Sequence, residues 1–506
     1  MKKNLLLLIA IFICATSFAQ GEVDALRLSR NDLSGTARGQ AMAGAFGALG
    51  GDVTGVSINP AGLGVYRSSE VSATMNFASA NMETPKSTQN AFKFNFNNLS
   101  YVGYFPLGNN SMSAINFGFS YNRLKNFNRK YSTSTKGMTS SLTDYMAVIS
   151  DGAFVGDFEG RDPYRSGEPW LGILGWNGFF INDVTDYKYE SPLDEGETVN
   201  SFLSVSEEGY IDSYDFSIGT NLFDNLYLGL TFTETDIYYR MNSYYDEEFQ
   251  NGGRAELKNY LETEGTGYQL RLGAIWRPVD EFRVGIAYHS PTWYSLTDYY
   301  SGNTLANYGD VSNEKASTPS DAYTNYKLQT PQSCTFSVAG VIGAKAILSV
   351  DYEVKDYTAM DFKDDSGFEY EFDNQCINED FKVTSTIRAG LEYRFTPQFS
   401  GRLGYAWMQN PYVKEMKEGK KEVVLGLTRT TPHYTIEGDV SYFTAGIGYR
   451  FTPQFYIDAT FVRKSQTDDL YYFSPTFENG NILVDSKSTS LKNNTYNTLI
   501  TLGYKF

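Results

Sequence analysis

The sequence predicts an all-β protein: a 14-stranded antiparallel transmembrane β-barrel with an N-terminal plug (hatch) and long extracellular loops. Three observations predict it. Apolar and polar residues alternate with period two from about residue 70 to the C-terminus. The links between the alternating segments are in turn tight and long. The composition joins 39 Tyr, 35 Phe and 46 Gly to a mean hydropathy of −0.36, as strands with one lipid face and one polar face average out.

The strands are expected near 70–79, 93–105, 112–123, 209–222, 225–240, 259–277, 282–291, 326–343, 345–357, 381–396, 399–409, 434–452, 455–466 and 489–506. Ile115, Phe117, Phe119 and Tyr121 alternate with Asn116, Gly118, Ser120 and Asn122, and Leu226, Leu228, Leu230 and Phe232 with Tyr227, Gly229, Thr231 and Thr233. A soluble sandwich has the same period, so the connections decide. Pro106 to Ser111, Phe223-Asp224, Pro278 to Glu281, Gly343-Ala344, Thr396 to Gln398 and Thr452 to Gln454 are tight, whereas the intervening links are long and the longest runs from about 124 to 208. Short turns at one end and long loops at the other mark an outer-membrane barrel, and an even strand count closes the sheet without an edge.

A formal charge of −17 argues against a nucleic-acid partner. At the start, Lys2 and Lys3 precede an apolar run from Leu5 to Ile13, then Ser17-Phe18-Ala19, which reads as a signal peptide over 1–19. The run is too short to span a bilayer as a helix, and Ile13 before Cys14 speaks against a lipoprotein. Of the later cysteines, Cys334 is expected to point outward from a strand and Cys376 to lie in a loop, both free. Residues 20–68 are rich in Gly and Ala, with Phe46, Leu49, Val53, Val56, Ile58, Leu63 and Val65 too apolar for a solvated linker. A short helix around Gly39 to Ala48 and a plug inside a barrel over 69–506 are expected.

Asn59-Pro60-Ala61-Gly62-Leu63, after that small-residue segment and before the first strand, resembles the hatch motif of the FadL/TodX family of outer-membrane transporters. Gly285 to Pro291, Leu328 to Pro331, Asp351 to Tyr357 and Arg402 to Tyr405 are similar in the same order. The resemblance implies a plugged barrel in the outer membrane of a Gram-negative bacterium, passing hydrophobic small molecules of the long-chain fatty acid or aromatic hydrocarbon type, without a cofactor. It also implies an apolar extracellular capture groove and a kinked strand beside the hatch that opens a lateral exit. The terminal strand, with Tyr504 and Phe506 on its aliphatic and aromatic face, resembles the signal read by the barrel insertion machinery. Outer-membrane lipid is a further partner. FadL-like barrels that act as secretion scaffolds, binding secretion-system proteins, are the alternative, and a general porin is a third reading.

No hydrolase, metalloprotease or phosphate-loop motif is present, and an enzyme is not expected. His289 reads as a lumen histidine beside Ser290, whose side chain points to the other face. Asp361, Asp364 and Asp365 lack the spacing of an EF-hand; no metal is expected. In the long third loop, Leu142, Tyr145, Met146 and Ile149 fall at helical spacing, with Ser141 and Asp144 placed as a capping box. Trp170, Leu171, Ile173, Leu174, Trp176, Phe179 and Phe180 are apolar in a region otherwise polar. With Leu142 and Met146 they are the candidate substrate-binding residues, or else a small loop core over the barrel mouth. Arg271, Arg283, Asp351, Glu353, Arg388, Glu392, Arg394, Arg402, Arg450 and Asp458 should face the lumen and mostly pair there. In the second strand, Phe92, Phe94 and Phe96 lie out of phase with Leu99, Tyr101, Gly103 and Phe105, so either a bulge at Asn97-Asn98 or a strand that starts later than 93 is expected. The third strand alternates cleanly, which leaves the position of a kink there unmarked.

Overall fold

The computed structural model describes residues 21–108, 111–160, 162–343 and 345–506; the expected signal peptide and Cys14 lie outside them, as do parts of the links at 106–111 and 343–344. Fourteen strands close into one antiparallel barrel: β1 Glu70–Glu83, β2 Thr88–Pro106, β3 Met112–Asn126, β4 Val199–Leu222, β5 Leu226–Phe249, β6 Arg254–Val279, β7 Phe282–His289, β8 Ser333–Ile342, β9 Ala346–Asp356, β10 Val383–Arg394, β11 Phe399–Met408, β12 Val440–Arg450, β13 Phe455–Tyr471 and β14 Thr489–Lys505. Pairing of Glu70 through Glu83 on β1 with Lys505 through Lys492 on β14 closes the sheet, so no edge runs the height of the membrane. No helix among the described residues is long and apolar enough to cross a membrane.

The apolar face tells which stretch of each strand lies in lipid. On β5, Leu228, Leu230 and Phe232 are exposed outward while Thr231 and Thr233 are buried inward; higher up, Ile237, Tyr239 and Met241 are buried inward and polar residues face out. The parity never changes, but the apolar side switches from outside to inside. Below the switch the solvent is hydrocarbon, and above it the strand covers an extracellular core. β4, β5 and β6 run 24, 24 and 26 residues, against the roughly 9–11 a membrane requires. The expected boundaries at 209, 240 and 259 therefore stop about where lipid stops. The third loop is correspondingly shorter than 124–208, because Arg129–Met138 pairs with the upper part of β4.

At the periplasmic end, Phe105, Trp276, Phe282, Tyr393, Phe451 and Phe506 are exposed beside tight turns and form an interfacial girdle. The near-copies Tyr393 to Phe399 and Tyr449 to Phe455 build two of these turns; in each the second aromatic stacks edge-on against the first, Tyr393–Phe395 at 5.0 Å and Tyr449–Phe451 at 4.8 Å. Tyr504 and Phe506 face the same girdle, and Phe506 is tied to Ser69 by a pair of backbone hydrogen bonds.

Two neighbouring strands are shorter than the sequence suggests. β7 ends at His289 and β8 begins at Ser333, where Pro291 and Pro331 interrupt the ladder. The sheet resumes above as Trp293–Tyr308, paired to the upper half of β6, and Tyr323–Gln329. The expected strand over 434–452 likewise divides into Tyr434–Ile436 and β12. Cys376 sits on a helix, Glu371–Asp380, rather than in an irregular loop, and both Cys334 and Cys376 are free.

The N-terminal segment occupies the lumen. Helix α1, Glu22–Ser29, lies under the extracellular loops; α2, Ala37–Ala41, α3, Val53–Ile58, and a 3₁₀ turn, Pro60–Val65, follow on the way down. The expected helix over 39–48 is thus only its first turn, ending where Ala43 and Gly44 take positive φ.

Candidate transport path

The plug is held by residue-specific contacts. Asn59 caps the 3₁₀ turn by accepting from the Ala61 amide at 3.1 Å, and its Nδ2 donates to the Gly47 carbonyl at 2.7 Å, within reach of Ala274 and Ile286 carbonyls on β6 and β7. Ala61 packs with Tyr227 and Ile275, Gly62 lies against Gly50, and the Leu63 carbonyl accepts from Asn116 at 2.7 Å. Pro60 takes the first position of the turn, where its missing N–H costs nothing. The wall answers with glycine. At Gly229, Gly273, Gly285 and Gly404 a Cβ would overlap Pro60, Asn59, Gly47 and Met42–Ala43. The sequence places these glycines on the lumen face; that they are the plug's footprint becomes legible only once the plug is docked.

Charges complete the anchoring. Glu392 accepts from Arg38 at 2.9 Å and from Arg402 at 2.6 Å, and Arg402 also meets Asp458. Asp351 accepts from the Gly47 amide at 3.0 Å, and Arg388 pairs with Glu353. Arg271 pairs with Asp215 and Arg283 donates to the Leu49 carbonyl. Most lumen charges named from the sequence thus fix the plug or each other. Arg394 and Arg450 differ: both are exposed at the periplasmic mouth. His289 Nε2 lies 2.9 Å from the Ile58 carbonyl, engaged with the plug. Asp361 is taken up by Asn374 at 2.6 Å and Lys363 at 3.2 Å.

The third loop forms a cap. Ser141 and Asp144 make the expected capping box at the start of α4, Leu142–Ser150, with Ser141 N donating to Asp144 at 2.9 Å. Helix α5, Trp170–Asn177, packs against α4. Leu142, Met146, Trp170, Leu171, Ile173 and Phe180 are buried in one core with Leu26 and Leu28 of α1, and Leu174 is buried as well; of the nine candidate residues only Trp176 and Phe179 keep substantial exposed surface. These residues therefore build the loop's interior, and the surface they offer to solvent is small.

Beneath the cap lies a cavity of about 160 Å³, lined by Leu28, Leu33, Ile58, Leu124, Tyr294 and Tyr442 among others, with Arg271, His289, Lys355 and Arg388 on its wall. A second cavity of about 70 Å³ adjoins it and shares Asp32, Leu33, Leu124 and Tyr442. Ala91, Lys93, Asn95 and Asn97 of β2 line it, beside a break in the ladder. β2 pairs with β3 only from Asn98↔Asn122 downward, and at the top Gln89 Nε2 donates to Ser132 Oγ at 2.7 Å. Between these two closures the β2 edge over 90–97 has no strand partner on that side among the described residues.

Two bulges produce this window. Thr74 pairs with Asn98 but Met75 with Phe96, so Asn97 is the extra residue on β2. Phe92, Phe94 and Phe96 consequently face lipid together with Leu99, Tyr101 and Phe105, as the phase flip requires. On β3, Arg123 pairs with Asp212 and Lys125 with Ile211, which leaves Leu124 extra and turned inward between the two cavities. The third strand is kinked after all. Its clean alternation ends at Tyr121, and the irregularity falls in Arg123-Leu124-Lys125, a stretch too polar to show a phase.

A closed antiparallel barrel with an internal plug defines a fold class, and the comparisons agree with it. Residues 222–471 match the model of the outer membrane protein transport protein family (OMPP1/FadL/TodX). A FadL homologue from Pseudomonas aeruginosa superimposes with a TM-score of 0.52 at 14% identity, covering 97% of this chain and 100% of that one. The toluene transporter TodX of P. putida does so with a TM-score of 0.50 at 13% identity, covering 94% and 99%. At such identities the likeness is one of fold. No curated protein matches the chain. Over residues 222–471 the chain is similar to the FadL/TodX family, and its fold is that of the solved FadL homologue.

Proposed function

We propose that the protein carries a hydrophobic small molecule passively from the cell exterior to the outer membrane, through the cavity under the cap and out sideways between β2 and β3. The observation that carries this reading is the break in the ladder, bounded by Asn98↔Asn122 below and Gln89–Ser132 above, beside a cavity that shares Leu33 and Leu124 with the larger one under the cap. An unpaired strand edge at membrane depth is tolerated only where it lines a cavity or is covered by protein. The plug blocks the straight route to the periplasm, which speaks against a general porin. Capture at the cap calls for α4 and α5 to part, because Trp170, Ile173 and Phe180 are buried in the closed form. No covalent step is involved, and His289 serves the plug.

The test is entry of a labelled apolar compound into vesicles reconstituted with the protein. Faster entry than in vesicles holding an unrelated barrel, with ion conductance near background, is the expected result. Deleting residues 166–182 should abolish the acceleration. Unchanged entry after that deletion overturns the capture role, and large open-channel conductance overturns the plugged route.

A further inference from the structure

Two arginines at the periplasmic mouth take no part in anchoring the plug. Arg394 and Arg450 end β10 and β12, each after a tyrosine of the interfacial girdle, so the ring faces lipid and the guanidinium belongs to the lumen side. Both line a cavity of about 130 Å³ at the mouth, which the plug also lines through Arg38, Gly51 and Asp52. The four carboxylates of this cavity are already taken. Glu392 serves Arg38 and Arg402, and Asp458 meets Arg402. Glu70 accepts from the Tyr456 hydroxyl at 2.6 Å and pairs with Lys505, while Asp52 accepts from the Thr36 hydroxyl at 2.8 Å and the Thr54 amide at 2.9 Å. Arg394 and Arg450 form no ion pair and no side-chain hydrogen bond among the described residues. In a chain with 59 acidic against 42 basic residues, two guanidiniums left over in one cavity run against the mean charge.

The backbone holds the two cations at a fixed spacing. Their near-copied turns are neighbours on the rim because β11 pairs with β12, and the Arg450 amide donates to the Gln398 carbonyl of the first turn at 2.9 Å. Neither turn contains an acid: Phe395 to Gln398 and Phe451 to Gln454 are each Phe-Thr-Pro-Gln. Gln398 and Ser400 line the cavity too and add neutral donors. Two unmatched guanidiniums with amide and hydroxyl donors suit one anion that carries about two charges and presents oxygens on several sides. A carboxylate has one charge in one plane, whereas a terminal phosphate has a charge of roughly −1.5 to −2 and three acceptor oxygens. From this we infer that the periplasmic mouth is a phosphate site, formed by Arg394 and Arg450 with Gln398 and Ser400 between the barrel rim and the plug. Its ligand is a terminal phosphate, either free in the periplasm or borne on a lipid head at the level of the girdle. The site lies beyond the plug from the cap, so it stands or falls independently of the lateral route.

Calorimetric titration of the protein with inorganic phosphate, in maltoside micelles that bring no phosphate of their own, tests it. Saturable binding is expected. Arg394→Gln and Arg450→Gln should each weaken it about tenfold, the loss of one charge-assisted interaction, and the double variant should abolish it. Arg463→Gln removes another exposed arginine, on the outer face of β13 beside Phe443, and should leave binding unchanged. Heat-modified gel mobility checks that every variant forms the barrel. Phosphatidic acid doped into the micelles separates the two sources: competition with inorganic phosphate assigns the site to a lipid head, and lack of competition assigns it to free phosphate. Saturable binding of neither probe, or binding that the double variant retains, overturns the site. Arginine-dependent binding of polyglutamate without binding of phosphate overturns it as well, and makes the mouth a dock for an acidic peptide.

Discussion

Gly273 shows how much a single position can carry. It lies on the lumen face of β6, where a Cβ would overlap Asn59 Oδ1 at the head of the plug turn. Gly273→Val should dislodge the plug while the barrel stays closed, because overpacking of this kind costs roughly 1–3 kcal/mol and the strand ladder is untouched. Single-channel recording should show a new conducting state; silence like the parent's would mean the plug is held elsewhere. A second residue-scale effect lies in the extracellular mouth. Glu22 of α1 is 1% exposed, and burial pushes its carboxyl up to about 8, with Asp380 and Asp373 adding to the rise and Arg429 opposing it. Burial likewise lifts Asp373, on the packed helix Glu371–Asp380, to about 7. The folded contact therefore holds protons that the open form releases. Its stability is full near pH 4 and falls as pH rises through the ordinary carboxylate range towards 8, Glu22 alone costing on the order of 3 kcal/mol by pH 7. Hydrogen exchange over residues 21–30 should thus show less protection at pH 8 than at pH 5 after correction for intrinsic rates. Glu22→Gln should shrink that difference, leaving what Asp373 contributes. The hatch residues Asn59 to Leu63 were legible from their order; the partners of Asn59 were not, since Gly47, Ala274 and Ile286 offer backbone carbonyls that carry no side-chain signal.

Among the elements, β2 and β3 contrast in how openly they declare an irregularity. On β2 large apolar residues sit on both sides of the bulge, so the phase change at Asn97 is visible. On β3 the bulged Leu124 is flanked by Arg123 and Lys125, and only pairing with β4 reveals it. The same logic accounts for strand ends. β4 to β6 were read to where the lipid face stops, and their upper halves escaped because Tyr, Glu and Arg carry a weaker alternation than Leu and Phe. Pro291 and Pro331 were within view, yet what they do, breaking two neighbouring ladders at one level, depends on β7 lying beside β8. The bulge makes a sharp element-scale prediction. Deleting Asn97 brings Phe96, Asn98 and Leu99 into regular alternation, so β2 could pair with β3 along its height. The shortened protein should assemble and show normal heat-modified mobility, with entry of apolar compound reduced at least about tenfold, toward the level of an unrelated barrel. Entry at the parent rate from a folded deletion variant would show that the bulge does not hold the window open.

For the whole molecule, period-two alternation and connection lengths were enough to give fourteen strands of an outer-membrane barrel, and the apolar, Gly-rich composition before the first strand gave the plug. The path was less legible. Whether the loop residues Trp170 to Phe180 make a binding surface or a loop core stayed open in the sequence, because nothing in a linear pattern says that α1 will rise beneath them and bury their apolar sides. The cavities arise between segments far apart in the chain, Leu33 against Leu124 and Tyr442. Lateral release is the central claim, and a long-chain carboxylate bearing a diazirine on its tail tests it most directly. Irradiated on the reconstituted protein and mapped by peptide mass spectrometry, it should mark residues 91–97 of β2 and 123–129 of β3. Adducts confined to the periplasmic mouth around Arg394, Gln398 and Arg450 would contradict the account and send the molecule past the plug instead.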